Sequence, residues 1–571
     1  MKAKYLLIGI VVATMTACNL DVFPTGSLTA GEMAENEAAP VYATNATYSL
    51  LKDGDAYAKG TDAGNTYIRH YFQMAEFPAD NCNLSGRTED VLYECTCYKN
   101  YATQTNVQAF WYFSYHIISC ANGVINTVKD GANPSTDQIK GENYFLRALM
   151  ELNLATLYAK PYTVDPNAPG IIINTGESDA TQRATVEQTY TQIVNDLNDA
   201  IRLMNGSRGN KGYASKEAAQ ALLTRVYLYM GRNEDCVKLA DEILGGDPSS
   251  KLEQGIAYAA EDGKDGMFAN AVTSKETLFC VALMNDESKG QEMMGSMFLK
   301  DGIGWGEIYP SDPLLNLYER YPSDIRMRYI LPQYKNNGKL MVSFPVKGAE
   351  SDDYRLTFAT ENVTAAGDEY TFSYDGTKYT TTTETINGEG QPDPNGDYTQ
   401  KYITLNGEKQ VVRITPSLNN RSGYTSLQYF MSKFGYQGGD PMLCSPIFIR
   451  WAEVILNRAE ANAKLGRDAD ALADVNVIRR RAQIPEEGMF STTNMHGYSS
   501  ALNIVLDERR LELAFEGFRT FDVYRNQKDM DRRFAGIHPW EVVKYTDSRI
   551  QYPIPYNETS SNPGITQNPG Y

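Results

Sequence analysis

Four segments between residues 105 and 230 each combine a helix-start signal with apolar residues at helical spacing. Three of them open on a hydroxyl followed three positions later by a glutamine, namely Thr105 with Gln108, Ser135 with Gln138, and Thr185 with Gln188. The fourth opens at Ser215 and stops at Gly231. This spacing is typical of the capping box, in which both side chains bond free backbone N–H groups. A helix with one apolar stripe must bury that stripe against another element, so the pattern predicts a scaffold of packed helices.

A weak internal repeat indicates how these helices are arranged. The segment 229–235, which contains Gly231 and Asn233, recurs as the segment 464–470, which contains Gly466 and Asp468. Both copies read as a helix, a glycine turn, an Asn or Asp cap and a second helix. Helix pairs of this kind stack against their neighbours, so we predict a mainly α, tetratricopeptide-like superhelix.

The middle of the chain has a different composition. Gly, Asp, Tyr and Thr dominate residues 246–440, and residues 354–413 alternate polar with β-branched or aromatic side chains. Asp375-Gly376 favours a type I′ turn, which predicts a β-hairpin. We therefore expect a helical part over about 30–245, an irregular loop-rich lobe with a small β insertion over 246–440, and a second helical part over 441–571, all in one domain. The last twenty residues, from Tyr552, carry four prolines and are predicted to be extended.

The first seventeen residues have the pattern of a signal peptide. Lys2 and Lys4 precede an apolar run from Tyr5 to Met15, which is too short to span a bilayer of about 30 Å. The run ends in small residues before Cys18, as in a bacterial lipoprotein cleavage box. We predict that residues 1–17 are removed and that Cys18 is acylated, so that the membrane is reached only through this lipid anchor. The alternative is a plain secretory peptide in which Cys18 has no such role.

Charge and cysteine content exclude several classes of protein. The formal net charge is −18, which argues against nucleic-acid binding and against attachment to anionic lipid headgroups. Cys82, Cys95 and Cys97 lie close enough in sequence to form one disulfide or, less plausibly, a thiolate metal site, but their spacing matches no zinc signature. We predict no metal and no cofactor. The remaining cysteines lie in helical patterns and are expected to be small buried hydrophobes.

Four motifs together resemble the SusD/RagB family of outer-membrane nutrient-uptake lipoproteins. They are the GE-x-x-FLRA-like stretch 141–148, the helix 448–461 with its AEV and AEA triplets, the ERRLELAFEGFRTFD run 508–522, and the ending from Tyr552-Pro-Ile-Pro555 to Tyr571. The resemblance covers nearly the whole mature chain. It implies four tetratricopeptide-like helix pairs beside an irregular lobe, and a surface-exposed lipoprotein that binds a glycan, or in some members a peptide. It also implies a partner, a SusC-type TonB-dependent β-barrel transporter, which imports the ligand. Two departures concern the anchor, since Met15 stands where Leu is commoner and Asp21 is the only early acid.

The carboxylates of the third motif have two explanations. Glu508 and Glu512 are four residues apart on a predicted helix, a spacing that an acid/base pair for glycoside cleavage could use. The neighbouring Arg509 and Arg510 would lower both pKa values, which works against a general acid. We therefore predict an ion network that holds the C-terminal helices, and no catalytic residues. Glycoside hydrolase activity and a pure scaffold role remain as the more distant alternatives.

Two loops have the residue types of a glycan site, which needs aromatic faces beside groups that bond hydroxyls. The first loop runs from residue 80 to 101, and its candidate ligand-binding residues are Asp80, Asn81, Arg87, Tyr93 and Tyr98. In the second loop the candidate ligand-binding residues are Trp305, which is flanked by glycines, and Tyr309. For each aromatic residue the alternative is packing, whereas Trp111 lies on an amphipathic helix and is predicted to be core.

Overall fold

The computed structural model describes residues 38–54, 64–84, 91–177, 181–300, 304–332, 339–348, 354–359, 362–415, 419–421, 424–426 and 429–571, with backbone only for 419–421 and 424–426. The predictions of a signal peptide over 1–17 and of acylation at Cys18 lie outside these residues. Within the described part of the chain, none of the helices combines the length and the apolar composition needed to cross a bilayer.

Helices dominate both ends of the described chain. They are α1 (Ala39–Ser49), α2 (Tyr67–Glu76), α3 (Val91–Thr96), α4 (Thr105–Thr127), α5 (Pro134–Tyr158), α6 (Val186–Leu203), α7 (Lys216–Tyr229), α8 (Asn233–Leu244), α9 (Gly255–Tyr258), α10 (Gly295–Phe298), α11 (Asp312–Tyr318), α12 (Trp451–Lys464), α13 (Asp468–Arg481), α14 (Ala501–Glu512), α15 (Arg519–Arg525) and α16 (Tyr556–Ser561). Consecutive helices from α4 to α8 pack on one another, and α8 then packs on α12. The predicted mainly α fold is confirmed.

The helix starts follow the sequence signals in part. Thr185 forms a complete capping box with Gln188 at the start of α6, and Ser215 caps α7. At α5, however, the cap is Asn133, whose side chain accepts from two backbone N–H groups at 3.0 Å, so the capping box predicted from Ser135 is wrong. At α4 the helix already includes Thr105, and no side chain caps it.

The internal repeat corresponds to two helix pairs that contact each other. Gly231 and Gly466 have φ angles of 74° and 75°, which lets the chain reverse after α7 and α12. The caps predicted at Asn233 and Asp468 are wrong, because both residues are the first residue of the following helix. Arg467 of the second copy binds Glu234 of the first at 2.7 Å. The repeated turns therefore lie side by side.

The strands form small antiparallel sheets. They are β1 (Cys82–Leu84), β2 (Thr277–Cys280), β3 (Ile308–Pro310), β4 (Ile330–Pro332), β5 (Met341–Lys347), β6 (Tyr354–Ala359), β7 (Thr364–Ala366), β8 (Glu369–Tyr374), β9 (Thr377–Thr380), β10 (Thr382–Ile386), β11 (Tyr398–Leu405), β12 (Glu408–Thr415), β13 (Asn419–Arg421), β14 (Tyr424–Ser426), β15 (Tyr429–Met431), β16 (Ile447–Arg450), β17 (Met530–Asp531) and β18 (Val542–Val543). The order β10-β11-β12-β5-β6 makes a five-stranded sheet, and β7-β8-β9 a three-stranded one.

The β insertion contains more strand than the sequence pattern indicated. The hairpin at Asp375-Gly376 is confirmed, since both residues have positive φ angles of 47° and 71°. Around it the five-stranded sheet begins before the predicted bound, at Met341, and ends at Thr415. The five-stranded and three-stranded sheets share a hydrophobic cluster of their own, which includes Phe344 of β5 and Phe372 of β8. The insertion is thus a β layer with its own core.

The C-terminal segment is only partly extended. The short helix α16 begins directly after Pro555, so the prediction of an extended ending is wrong there. Beyond it, Asn568 Nδ2 donates to the carbonyls of Tyr158 and Tyr552, both at 2.7 Å. These bonds fasten the end of the chain to the end of α5.

None of the seven described cysteines forms a disulfide bond. The disulfide considered for Cys82, Cys95 and Cys97 is not formed, and Cys95 Sγ instead accepts from Asn106 Nδ2 at 3.0 Å. Cys236, Cys280 and Cys444 are buried, as predicted, whereas Cys120 is half-buried. The predicted helical setting is confirmed for Cys120 and Cys236 and is wrong for Cys280, which ends β2, and for Cys444, which lies outside the helices.

Candidate functional site

The two loops that the sequence singled out lie against each other. In the β1–β3 ladder Cys82 pairs with Pro310, Asn83 with Tyr309 and Leu84 with Ile308. The contact continues past the ladder, where Ser311 donates its backbone N–H to the Asn81 carbonyl at 2.8 Å and its hydroxyl to the Asp80 carbonyl. We call residues 80–84 and 304–311 the β1–β3 rim.

Trp305 is the exposed aromatic residue of this rim. Its side chain is 45% exposed, while its backbone N–H is bound to the Ser296 carbonyl at 2.7 Å. The flanking glycines are required sterically. A Cβ at position 304 would lie 2.0 Å from the Leu299 carbonyl oxygen, and Gly306 has a φ of +57°. The backbone of residues 304–306 therefore packs closely on the segment that contains Ser296 and Leu299, and the indole of Trp305 is directed outwards.

Asp80 and Asn81 lie inside the protein. The Asp80 carboxylate accepts two bonds from Arg519, at 2.8 and 3.0 Å, and lies 3.3 Å from Arg510 Nη2. Burial alone would raise the pKa of Asp80, but Arg510 and Arg519 outweigh it and hold the pKa well below its usual range. Asn81 accepts from Arg510 Nε at 2.8 Å. Both candidate ligand residues thus have protein partners, and those partners come from the ERRLELAFEGFRTFD motif.

A second buried carboxylate joins the same motif to the rim. Glu76, at the end of α2, accepts backbone N–H bonds from Phe515 at 3.1 Å and Gly517 at 2.9 Å, and a side-chain bond from Asn81 at 3.2 Å. Burial raises the pKa of Glu76 to about 7, although these bonds and the charge of Lys433 act to lower it. The motif therefore serves to position the first loop.

The other predicted residues are placed as follows. Tyr98 is buried, and its hydroxyl bonds the Pro78 carbonyl at 2.9 Å and the Tyr524 hydroxyl at 2.7 Å. Tyr309 is also buried, within β3. Tyr93 is half-buried, with Lys99 Nζ 5.4 Å from its ring centroid. Arg87 lies outside the described residues.

Sequence reasoning did not identify one aromatic pair near the rim. The rings of Tyr354 and Trp540 stack with their centroids 3.9 Å apart, and both residues are half-buried. The two residues are 186 positions apart in the chain, and no sequence pattern relates one to the other. Trp111, in contrast, is buried in the core as predicted, and its Nε1 donates to Glu558 at 3.2 Å.

The candidate acid pair forms part of a buried ion network, as predicted. Glu508 binds Arg326 at 2.6 Å, and Glu512 binds Arg450 at 2.6 Å and also contacts Arg481. Burial would raise the pKa of Glu512, but Arg481, Arg450 and Arg326 together hold it below its usual range. A carboxylate kept ionised in this way is unsuited to donating a proton.

The partners in this network are not the neighbours in sequence that we expected. Arg509 instead binds Asp522 at 2.8 Å, and Arg510 binds the first loop. Glu460 binds Arg525 at 2.5 Å. Within the described ranges, no group of three or more His, Cys, Asp or Glu residues is arranged to hold a metal ion.

Comparisons with known proteins agree with the four motifs. A model of the SusD family matches residues 275–571, which is more than half of the chain. A second family model, described as starch-binding and associating with the outer membrane, matches residues 54–228.

Among curated proteins, the chain is 24% identical over 487 residues to SusD-like protein P2 of Formosa agariphila, with 81% of each chain covered. It is 23% identical over 615 residues to the starch-binding protein SusD of Bacteroides thetaiotaomicron, with 100% of each covered.

Solved structures share the fold. A SusD superfamily protein from Bacteroides vulgatus superposes with a TM-score of 0.67 at 22% identity, covering 93% of this chain and 98% of the other. A SusD superfamily protein from Bacteroides thetaiotaomicron gives a TM-score of 0.66 at 24% identity, covering 93% and 99%.

Proposed function

This chain belongs to the SusD family, and on that premise we propose that it binds an oligosaccharide at the β1–β3 rim without cleaving it. The observation that carries the proposal is Trp305, a large aromatic side chain 45% exposed on a backbone that two glycines hold in place. An aromatic ring of this size offers an apolar face to the C–H side of a sugar ring.

Delivery of the ligand completes the proposal. Acylation at Cys18 would tether the protein to the outer membrane, facing the exterior, where it would pass its cargo to a SusC-type TonB-dependent transporter. The buried, arginine-paired Glu508 and Glu512 support binding without hydrolysis, because both carboxylates lie inside the protein, away from any substrate at the rim.

A retention experiment tests the proposed function. The mature protein is incubated with starch, xylan, pectin, yeast mannan, mucin O-glycans and, separately, a mixed peptide library. We expect one class of glycan to be retained with its reducing ends unchanged. Newly released reducing ends would establish a glycoside hydrolase, and capture of peptides alone would replace the glycan by a peptide as cargo.

A further inference from the structure

A second aromatic surface lies beside the β1–β3 rim. Tyr354 is the first residue of β6, and Trp540 lies in the segment that joins β17 to β18. Their rings stack with centroids 3.9 Å apart and planes 26° from parallel. Stacking covers one face of each ring and leaves the opposite faces to other contacts. Both residues are only half-buried.

Hydrogen bonds connect this pair to the rim. Gly536 donates its backbone N–H to the Tyr354 carbonyl at 3.1 Å, and the neighbouring Ala535 carbonyl accepts from Asn83 Nδ2 at 2.7 Å. Asn83 is the ladder partner of Tyr309, which is four residues after Trp305. The stacked pair is therefore connected to the same short ladder whose second strand, β3, follows Trp305.

The polar atoms of the pair differ from those of core aromatics. Trp111 is 5% exposed and donates its indole N–H to Glu558, and the buried Tyr98 bonds through its hydroxyl to two protein groups. Among the described residues, no group bonds the indole N–H of Trp540 or the hydroxyl of Tyr354, and neither atom is one of the buried polar atoms that lack a partner. Buried Tyr and Trp side chains usually find a protein partner, so these two atoms face water or a ligand.

We propose that Tyr354 and Trp540 form a second sugar-stacking subsite, so that the protein prefers glycan chains long enough to contact both this pair and Trp305. This inference rests on the proposed function and adds to it the length of the ligand. The pair is connected to the rim at Asn83, whereas Trp305 lies four residues before Tyr309, the ladder partner of Asn83, so a ligand that touches both surfaces must extend along the rim. Each surface alone then contributes a modest affinity, and a longer chain combines the two.

The test compares ligands of increasing length. Fragments from disaccharide to octasaccharide are prepared by partial hydrolysis of whichever polysaccharide of the panel the wild type retains, and their affinities are measured by calorimetry. We expect Trp540→Ala to weaken the longest fragments about tenfold, which is about 1.4 kcal/mol, and to leave the disaccharide unchanged. Trp305→Ala should weaken every length, and Trp540→Phe should restore most of the lost affinity because the ring face is kept.

Controls separate a binding role from a packing role. Tyr42→Ala removes another exposed ring, 63% exposed on α1, and should change no affinity. Thermal unfolding is recorded for each variant, and Tyr354→Ala is made as a second probe of the pair. If Trp540→Ala lowers the melting temperature but leaves the affinity for every fragment unchanged, the subsite is refuted while the proposed function stands. Equal weakening at all lengths would also contradict a separate subsite, and failure of the wild type to retain any glycan would overturn both proposals.

Discussion

Replacing Asp80 by Asn tests whether the C-terminal motif holds the first loop in place. The Asp80 side chain is 8% exposed, and those of its partners Arg510 and Arg519 are 10% and 16% exposed. Asparagine keeps the shape of the side chain but removes the negative charge, so two buried guanidinium groups lose their counter-charge. Breaking a buried ion pair in this way typically costs about 3–5 kcal/mol.

The control is an aspartate paired with an arginine at the surface. Asp531 accepts two bonds from the Arg533 guanidinium, at 2.9 and 2.7 Å, and one from the Arg533 backbone N–H at 3.0 Å, but these side chains are 54% and 55% exposed. Because water screens such a pair, Asp531→Asn should cost at most about 1 kcal/mol. The contrast between the two variants isolates the effect of burial.

Differential scanning calorimetry provides the readout. With an unfolding entropy of about 2.1 cal/mol/K per residue, a cost of 3–5 kcal/mol lowers the melting temperature by roughly 3–4 °C, and the control by less than about 1 °C. The low pKa of Asp80 means that its stabilisation is complete above the unfolded pKa of about 3.9 and is lost only as the pH falls through the folded value. The difference between wild type and Asp80→Asn should therefore be constant from about pH 5 to 8. Equal melting temperatures for the two variants would refute the reasoning.

Two further predictions concern a buried acid and a glycine. Neither carboxyl oxygen of the buried Glu151 has a hydrogen-bond partner among the described residues, and burial raises its pKa well above the usual range. Because the pKa of Glu151 is raised in the folded state, the wild type loses stability as the pH rises through that pKa. The melting temperature of Glu151→Gln should therefore increase relative to that of the wild type between about pH 5 and 8. A difference in melting temperature that stays constant over this range would contradict the prediction. Gly306→Ala should be more destabilising in urea than Gly245→Ala by about 1 kcal/mol. Both glycines have a positive φ, but a Cβ at 306 would lie 2.9 Å from Phe430 while one at 245 meets nothing within 4 Å, so equal losses would exclude the clash.

The sequence predicted best what local chemistry determines. The capping box at Thr185 and the hairpin at Asp375-Gly376 each depend on residues within a few positions of one another. Asn133 was missed as the cap of α5 because Ser135 gave a similar signal two residues later.

Long-range pairings account for what the sequence could not indicate. Asp80 has the composition of a ligand-binding loop residue, yet its partner Arg519 is 439 positions away, and no local pattern shows that the two meet. The same holds for the stacked pair of Tyr354 and Trp540. It also holds for the five-stranded sheet, in which β12 pairs with β5 although the three-stranded sheet and the strands β10 and β11 lie between them in the sequence.

The affinity of the wild type and of Trp305→Ala for the retained glycan, measured by isothermal titration calorimetry, tests the central claim most directly. The account predicts binding of intact sugar by the wild type and a loss of at least about tenfold in the variant, with an unchanged melting temperature. Equal affinities for the two proteins would contradict it, because the exposed indole would then make no contribution to the binding of the ligand.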